Sequence, residues 1–484
     1  MGRYITCKLV NHNFVNEVQT ITQVFFPDAK LIFVENASTS EVVSNQDAHH
    51  LEIVTEVLPT IVIAKIFEGE RTLHLASEYT LSVQSLPLHL SPRRVLMLAL
   101  YHALQKVKPT NTPWGALTGI RPSKMVREWL NEDWPLDKIR NVLTDTFCCQ
   151  QSKALLAMSV ANNENIVIDN IYEKYGPKPM GIYIGIPFCP TRCIYCSFNV
   201  DHVYKDKHIY ENYVDAVIDE MQAKATRLKY LGGRVSSIYI GGGTPTVLSE
   251  ELLEKLLKAV SAHFECQNVE YTVEAGRPDT ITHSKLTLLR KYGVNRIAIN
   301  PQTLNNRTLK LIGRNHTVQD FYTAFKLARK VGFDCISTDV IVGLPGEKVA
   351  NVVRTMDALL ELSPENITVH TLAVKRASHL NAQRGKFPLP TAEETERMLL
   401  EVSVRCLRAG FDSYYMYRQK NMVGMLENIG YSLDGHECHY NIGMMTETQT
   451  ILGIGAGAVS KFVEGDRIWR EINPKNAEVY LSRR

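Results

Sequence analysis

GIYIGIPFCPTRCIYCSFNV, residues 181–200, sets Cys189, Cys193 and Cys196 in a C-x3-C-x2-C array directly behind a β-prone apolar run, Tyr183–Ile186. A 4Fe–4S cluster ordinarily takes four thiolates, so a compact set of three leaves one iron without a protein ligand. An open coordination site is where a metal centre does chemistry rather than structure. A loop at the end of a strand is also where barrel and open-sheet enzymes carry their active sites. The competing reading is structural zinc, yet zinc knuckles pair two short C-x2–4-C units or close with histidine. The remaining cysteines, Cys7, Cys148, Cys149, Cys266, Cys335, Cys406 and Cys438, supply no second unit of that kind. Their lack of framework spacing points to a reducing cytosol rather than to disulfides.

Outward from the array, strand-like and helix-like runs alternate. The strand-like runs are 181–186, 235–240, 269–275, 294–300, 334–344 and 366–372, with helical patterns between them at 249–264, 281–292, 318–331 and 349–362. Six βα units imply a parallel sheet with right-handed crossovers. The expected fold class is therefore α/β, with a partial (β/α)6 barrel over 177–375 rather than a closed eight-fold one. Residues 1–90 read as a β-rich domain of short β-branched runs with few helical periods, and 91–176 as a helical segment ending in the linker KYGPKP (174–179). The tail, 376–484, combines a helix (391–409), short strands and the run ILGIGAGAVS, and is expected to cover the substrate.

A chain of 484 residues exceeds what one core usually spans, which fits several domains. Net charge is +3 on 54 basic and 51 acidic residues, a balance that gives no support to a nucleic-acid surface. No apolar run approaches the roughly 18 residues that a membrane span needs. The start, MGRYITCKLVNHNF, lacks an apolar signal core, and its loose match to an acylation pattern is read as coincidence because a strand follows.

Further polar residues gather at strand ends. GGGTPT (241–246) follows the second strand; its glycines permit positive φ and close approach of backbone to a ligand, or else simply make a tight turn before a capped helix at Glu250. Glu274 closes the third strand, Gln302 follows the fourth, Arg314 sits in a loop after a short helix, and Asp339 lies inside the fifth. A carboxylate within a strand buried on both faces is costly unless paired, so Asp339 is expected to meet a ligand or an arginine. Together these groups suit a ligand bearing hydroxyls, an amino group and a carboxylate.

IPFCPTRCIYC, GGGTPT, TVEA, the stretch QTLNNRTLKLIGRNH (302–316) and ILGIGAGAVS, with the six βα units, resemble the radical S-adenosylmethionine (SAM) superfamily and, within it, the oxygen-independent coproporphyrinogen III oxidase family over about residues 178–470. PWGALTGIRPSK (113–124), VHTLAVKRAS and the long N-terminal extension resemble its HemZ branch. The resemblance implies that Cys189, Cys193 and Cys196 ligate a 4Fe–4S cluster, with SAM on the fourth iron. It implies SAM contacts from Tyr183, Tyr195, Gly242, Gly243, Thr244, Glu274, Gln302, Arg314, Asp339, Ala373 and Val459; Tyr195 also reads as simple packing beside the cluster. The implied reaction begins with reductive cleavage of SAM to a 5′-deoxyadenosyl radical. Oxidative decarboxylation of two propionates of coproporphyrinogen III then gives protoporphyrinogen IX in haem biosynthesis.

Lys375, Arg376 and Arg384 are candidates to receive the substrate carboxylates, or else form a solvated basic loop. The implied partners are the tetrapyrrole (coproporphyrinogen III, or haem) and a reduced flavodoxin- or ferredoxin-type electron donor. A cytoplasmic monomer with no nucleic acid and no membrane span is expected. One departure stands out: the well-understood members of the family carry a further cysteine where this chain has Phe198. Haem-trafficking relatives lack it too, which keeps open a haem chaperone, as well as another radical reaction on a tetrapyrrole. His370, the run His436-Glu437-Cys438-His439 and DAHHLE (47–52) are candidate haem or metal ligands, the second alternatively a surface loop.

Overall fold

The computed structural model describes residues 4–35, 50–69, 74–82, 90–118, 121–196, 201–202, 208–375 and 377–483. The chain divides into two compact units, Met1–Met158 and Ser159–Arg484.

In the first unit, β1 (Tyr4–Val10), β2 (Lys30–Glu35), β3 (Leu51–Val57), β4 (Ile61–Glu68) and β5 (His74–Ser82) form one sheet in the order β2-β1-β3-β4-β5. β1 runs parallel to both β2 and β3. A parallel pair needs a crossover, and the helix Val15–Phe25 supplies it between β1 and β2. The reading of this region as strands with few helical periods missed that helix. Its sequence, VNEVQTITQVF, is rich in β-branched residues that favour strands, yet Val18, Ile21, Thr22 and Phe25 recur at helical spacing and are buried. Lys8 and Glu52 form a buried ion pair at 3.1 Å. Of DAHHLE, residues 47–49 lie outside the described residues, His50 is buried, and Glu52 is engaged by Lys8. In PWGALTGIRPSK, Gly115 has φ +54° and approaches the Phe147 carbonyl so closely that a Cβ would sit 2.0 Å from its oxygen; Trp114 beside it is buried.

The second unit is built on β6 (Pro179–Ile186), β7 (Phe188–Cys189), β8 (Asp201–His202), β9 (Arg234–Gly242), β10 (Glu270–Glu274), β11 (Arg296–Ala298), β12 (Cys335–Val342), β13 (Asn366–Thr371), β14 (Asp412–Tyr417), β15 (Asn428–Ser432), β16 (Thr450–Ile454), β17 (Val459–Glu464) and β18 (Arg467–Ile472). Eleven of these make one sheet, ordered β14-β15-β13-β12-β11-β10-β9-β6-β16-β17-β18, while β7 pairs with β8. The six central strands, β6 and β9 to β13, are parallel, and lie where the apolar runs predict them. Ile182, Ile184, Ile238, Ile240, Val273, Ile297 and Ile336 are fully buried, as expected for strands covered on both faces. The sheet ends in β14 on one side and β18 on the other, so this is a partial (β/α)6 barrel and not a closed one.

Local chemistry fixes where the crossover helices begin. Ser249, Thr282 and Thr317 each accept a backbone N–H at a helix start, and Thr317 with Asp320 completes a capping box. The loops that follow the carboxyl ends of β6, β9, β10, β11, β12 and β13 consequently share one rim.

Candidate active site

The cysteine loop leaves β6 at this rim and is held from several sides. The Ile194 amide donates to the Ile312 carbonyl at 3.1 Å, and the Thr191 hydroxyl donates to the Gly313 carbonyl at 3.0 Å. Cys189 Sγ lies 3.4 Å from Thr244 Oγ1. Burial pushes the Cys189 thiol up to about 11; the Thr244 hydrogen bond and the Arg277 charge pull it back, and Cys193 and Cys196 raise it further as like charges. Cys193 and Cys196 are therefore near enough to Cys189 for their charges to act on it. None of the three thiols is joined in a disulfide among the described residues. Soft metal ions displace such protons on binding.

The glycine run makes the tight turn offered as one of its readings. Ser249 caps the helix that follows, and the glycines admit what a side chain would block. A Cβ on Gly241 would lie 2.8 Å from the Glu274 carboxyl, and one on Gly243 would lie 2.4 Å from the Phe188 carbonyl oxygen. Gly242 holds φ +107°. Through Gly243 N–H to Ile186 O and Thr244 N–H to Phe188 O, both 2.8 Å, the turn carries the stem of the cysteine loop.

Glu274 receives a hydrogen bond from Tyr239 Oη at 2.5 Å and from the Gly242 N–H at 3.1 Å. Burial pushes its carboxyl up to about 7, with the Asp339 charge adding and the two hydrogen bonds and His370 opposing. Gln302, at φ +66°, continues β11 by a parallel bridge to Val340. Its Oε1 and Asn300 Oδ1 are buried acceptors without a partner among the described residues. Buried acceptors are rarely left unpaired unless something else binds there. Arg314 donates through Nη1 to the carbonyls of Gly276 and Asn300 at 3.0 and 2.6 Å, which anchors it across the ends of β10 and β11. Burial opposes its charge, while Tyr195 and Cys193 beside it favour that charge. Tyr195 is raised by burial and by Cys193.

Asp339 lies 3.6 Å from His370 Nε2, and His370 Nδ1 lies 3.4 Å from Tyr417 Oη. Ala373 follows β13 and bridges to Met422. Val459 opens β17 just after the turn that leaves β16, beside the end of β6. Tyr183 stacks in the barrel interior with Tyr239 and Tyr440.

Four residues near this rim went unread in the sequence: Thr191, Arg277, Asn300 and His316. Arg277 is 2% exposed and donates to Thr191 and to Cys193 Sγ. The reasoning that singled out Asp339, a charge inside an apolar strand, did not reach Arg277, which lies past the end of β10 in a loop. His316 is buried with neither ring nitrogen partnered among the described residues; burial, then Arg314 and Arg277, push it down to about 3.

Other candidates fall elsewhere. Lys375 is half-buried just after β13, its ammonium lowered by burial. Phe198, Arg376 and the Arg384 side chain lie outside the described residues. The run 436–439 is neither a surface loop nor a set of ligands at the rim. Cys438 is buried, and the amides of His439 and Tyr440 donate to Glu270 at 2.7 and 3.0 Å, at the amino end of β10. Arg296 and Asn366, at the amino ends of β11 and β13, both donate to the His436 carbonyl. The run thus plugs the end of the sheet opposite the cysteines. A polar concavity of about 420 Å³ lined by Cys266, Gln267, Asn268, Arg290, Asn295 and Asp334 also lies at that opposite end.

A loop with three thiols, two buried guanidinium groups against it, a glycine cradle and unpartnered amide oxygens fits a thiolate-bound cluster beside a polar, charged ligand. Residues 183–359 match the Radical SAM superfamily. The chain is 40% identical over 374 residues to the oxygen-independent coproporphyrinogen-III oxidase-like protein HemZ of Bacillus subtilis, covering 76% of this chain and 74% of that one. It is 33% identical over 280 residues to the heme chaperone HemW of the same organism, covering 57% and 69%. Among solved structures, the radical SAM enzyme coproporphyrinogen III oxidase (HemN) from Escherichia coli superposes with a TM-score of 0.52 at 23% identity, over 65% of this chain and 71% of that one, a likeness of fold.

Proposed function

The chain belongs to the radical SAM superfamily, with the HemZ-like proteins, and on that premise we propose that it is an oxidoreductase that decarboxylates propionate side chains of a porphyrinogen, coproporphyrinogen III, to vinyl groups. A 4Fe–4S cluster and SAM are the cofactors of that superfamily. The observation that carries the reading is the convergence of Cys189, Cys193 and Cys196 with Glu274 and the unpartnered acceptors of Asn300 and Gln302 on one rim.

In this reading the three cysteines ligate the cluster. When bound, the cluster and SAM supply one-electron cleavage chemistry and hydrogen abstraction. The residues of the chain bind, orient and exclude water. Glu274, already holding the Gly242 N–H, accepts from the ligand's ammonium group. Arg314, pinned by two carbonyls and bonded to Tyr195 and Cys193, would offer its remaining donor, Nε–H, to a carboxylate. Gln302 and Asp339 face hydroxyl groups, with His370 and Tyr417 orienting Asp339. Tyr183, Tyr195, Gly243, Thr244, Ala373 and Val459 complete the enclosure. Leu309, Ile312, Ile341, Leu344, Leu372, Val374 and Leu380 form a buried apolar floor against which Ile194 and Tyr195 pack, keeping the loop dry. Lys375, half-buried after β13, would meet a substrate carboxylate. A low-potential donor of the flavodoxin or ferredoxin class supplies electrons.

The test is anaerobic incubation of the reconstituted chain with SAM, a reductant and coproporphyrinogen III, with tetrapyrrole products read by mass. Loss of two carboxyl groups is expected. A second reading, haem binding and delivery, is favoured by the HemW likeness and by Phe198 in place of the extra cysteine. Stoichiometric haem binding with unchanged coproporphyrinogen would select it.

A further inference from the structure

We propose that Arg277 is a positioning residue for the cluster: it ties the cysteine loop to the end of β10 and, through Cys193, raises the cluster's reduction potential. The inference rests on the ligand set proposed above. The Arg277 side chain is 3% exposed, and both terminal nitrogens of its guanidinium are hydrogen-bonded. Nη1 donates to the Thr191 carbonyl at 3.2 Å and to Cys193 Sγ at 3.6 Å, Nη2 to Thr191 Oγ1 at 2.5 Å, and Nε lies 3.5 Å from Asp279 Oδ1.

The first consequence is mechanical. Thr191 lies between Cys189 and Cys193, and both its carbonyl and its hydroxyl receive the same rigid fork. Lysine, a single rotatable point charge, cannot reproduce that geometry.

The second consequence is electrostatic. A guanidinium keeps its charge at any working pH. A cluster that accepts one electron from a low-potential donor gains one negative charge, with no bond made and no proton moved. A buried cation hydrogen-bonded to a ligating sulfur favours that more negative state, and hydrogen bonds to cluster sulfurs are established levers on potential. Asp279, about one-quarter exposed, opposes the effect. Arg314 also bonds Cys193, besides the carbonyls of Gly276 and Asn300, and it stays constant when Arg277 is varied. His316, flanked by both arginines, is held neutral and adds no charge.

The experiment is a dye-mediated reductive titration of the full reconstituted chain without SAM, read by electron paramagnetic resonance. Iron and sulfide are counted beside it. At the potential where half the wild-type clusters are reduced, Arg277→Gln should lower the reduced-to-oxidised ratio about tenfold, which is about 59 mV for one electron. Arg277→Lys, which keeps the charge, should stay within about threefold, and Asp279→Asn should move the ratio the other way. An unchanged ratio in Arg277→Gln with four irons retained would overturn the proposal, as would an equal fall in Arg277→Lys. If the glutamine variant holds no iron, the signs of the lysine and Asp279→Asn shifts decide alone. A wild-type chain that takes up no cluster defeats the ligand-set reading itself, a result distinct from any of these.

Discussion

At the scale of single residues, Glu274 makes the sharpest prediction. Its carboxyl is pushed up to about 7. If the ligand's ammonium pairs with the carboxylate form, binding must weaken as pH falls below about 7, because the protonated acid has to give up its proton first. SAM affinity should drop about tenfold per pH unit well below that value. In Glu274→Gln the affinity should be low and that slope absent. Equilibrium binding across pH 5.5–8.5 would check it; an identical slope in both proteins would place the titrating group elsewhere. Sequence alone brought out the three thiols, Glu274, Arg314 and Asp339 because such groups are improbable at the ends of apolar strands, but missed Arg277, which lies past its strand in a loop. It passed over Asn300 and His316. An amide or imidazole in a polar loop looks ordinary until burial and missing partners show that it is not.

At the scale of elements, the glycine turn and the opposite plug can be separated by mutation. A Cβ at Gly243 would meet the Phe188 backbone, which is not the end of a flexible side chain and cannot step aside cheaply. Gly243→Ala should cost about 1–3 kcal/mol and reduce iron retained after reconstitution, with helix content by circular dichroism unchanged. Full iron loading would show that the loop stem tolerates displacement. Glu270 caps the helix His439–Thr446 and faces Arg296 at 3.7 Å. Burial pushes its carboxyl up, but Arg296, His439 and two backbone N–H groups outweigh that and hold it low. Glu270→Ala leaves a buried guanidinium uncompensated and should cost about 3–5 kcal/mol, read as a lower unfolding temperature. Iron binding per folded chain should be unaffected.

Periodicity located all six parallel strands because each is a continuous apolar run between turn signals. The helix Val15–Phe25 escaped because its β-branched composition spoke for a strand, and only parallel pairing of β1 with β2 demanded a crossover. The plug escaped because nothing in H-E-C-H says which end of a barrel it will close. Side-chain type suggested ligands, whereas the carbonyl of His436 and the amides of His439 and Tyr440 do the work.

At the scale of the whole molecule, an incomplete barrel gathers thiols, cations and unpartnered acceptors at its carboxyl-end rim, while residues 436–440 of its own C-terminal segment pack against the amino ends of the strands. That asymmetry underlies the central claim, that the rim around Cys189, Cys193 and Cys196 cleaves SAM. The most direct measurement is 5′-deoxyadenosine released by the anaerobically reconstituted chain with SAM and a strong one-electron reductant, beside Cys193→Ala. The account predicts release by the wild type, stimulated by coproporphyrinogen III, and none by the variant. A wild-type chain with a full four-iron complement that forms no 5′-deoxyadenosine, or a variant that forms as much, would contradict it.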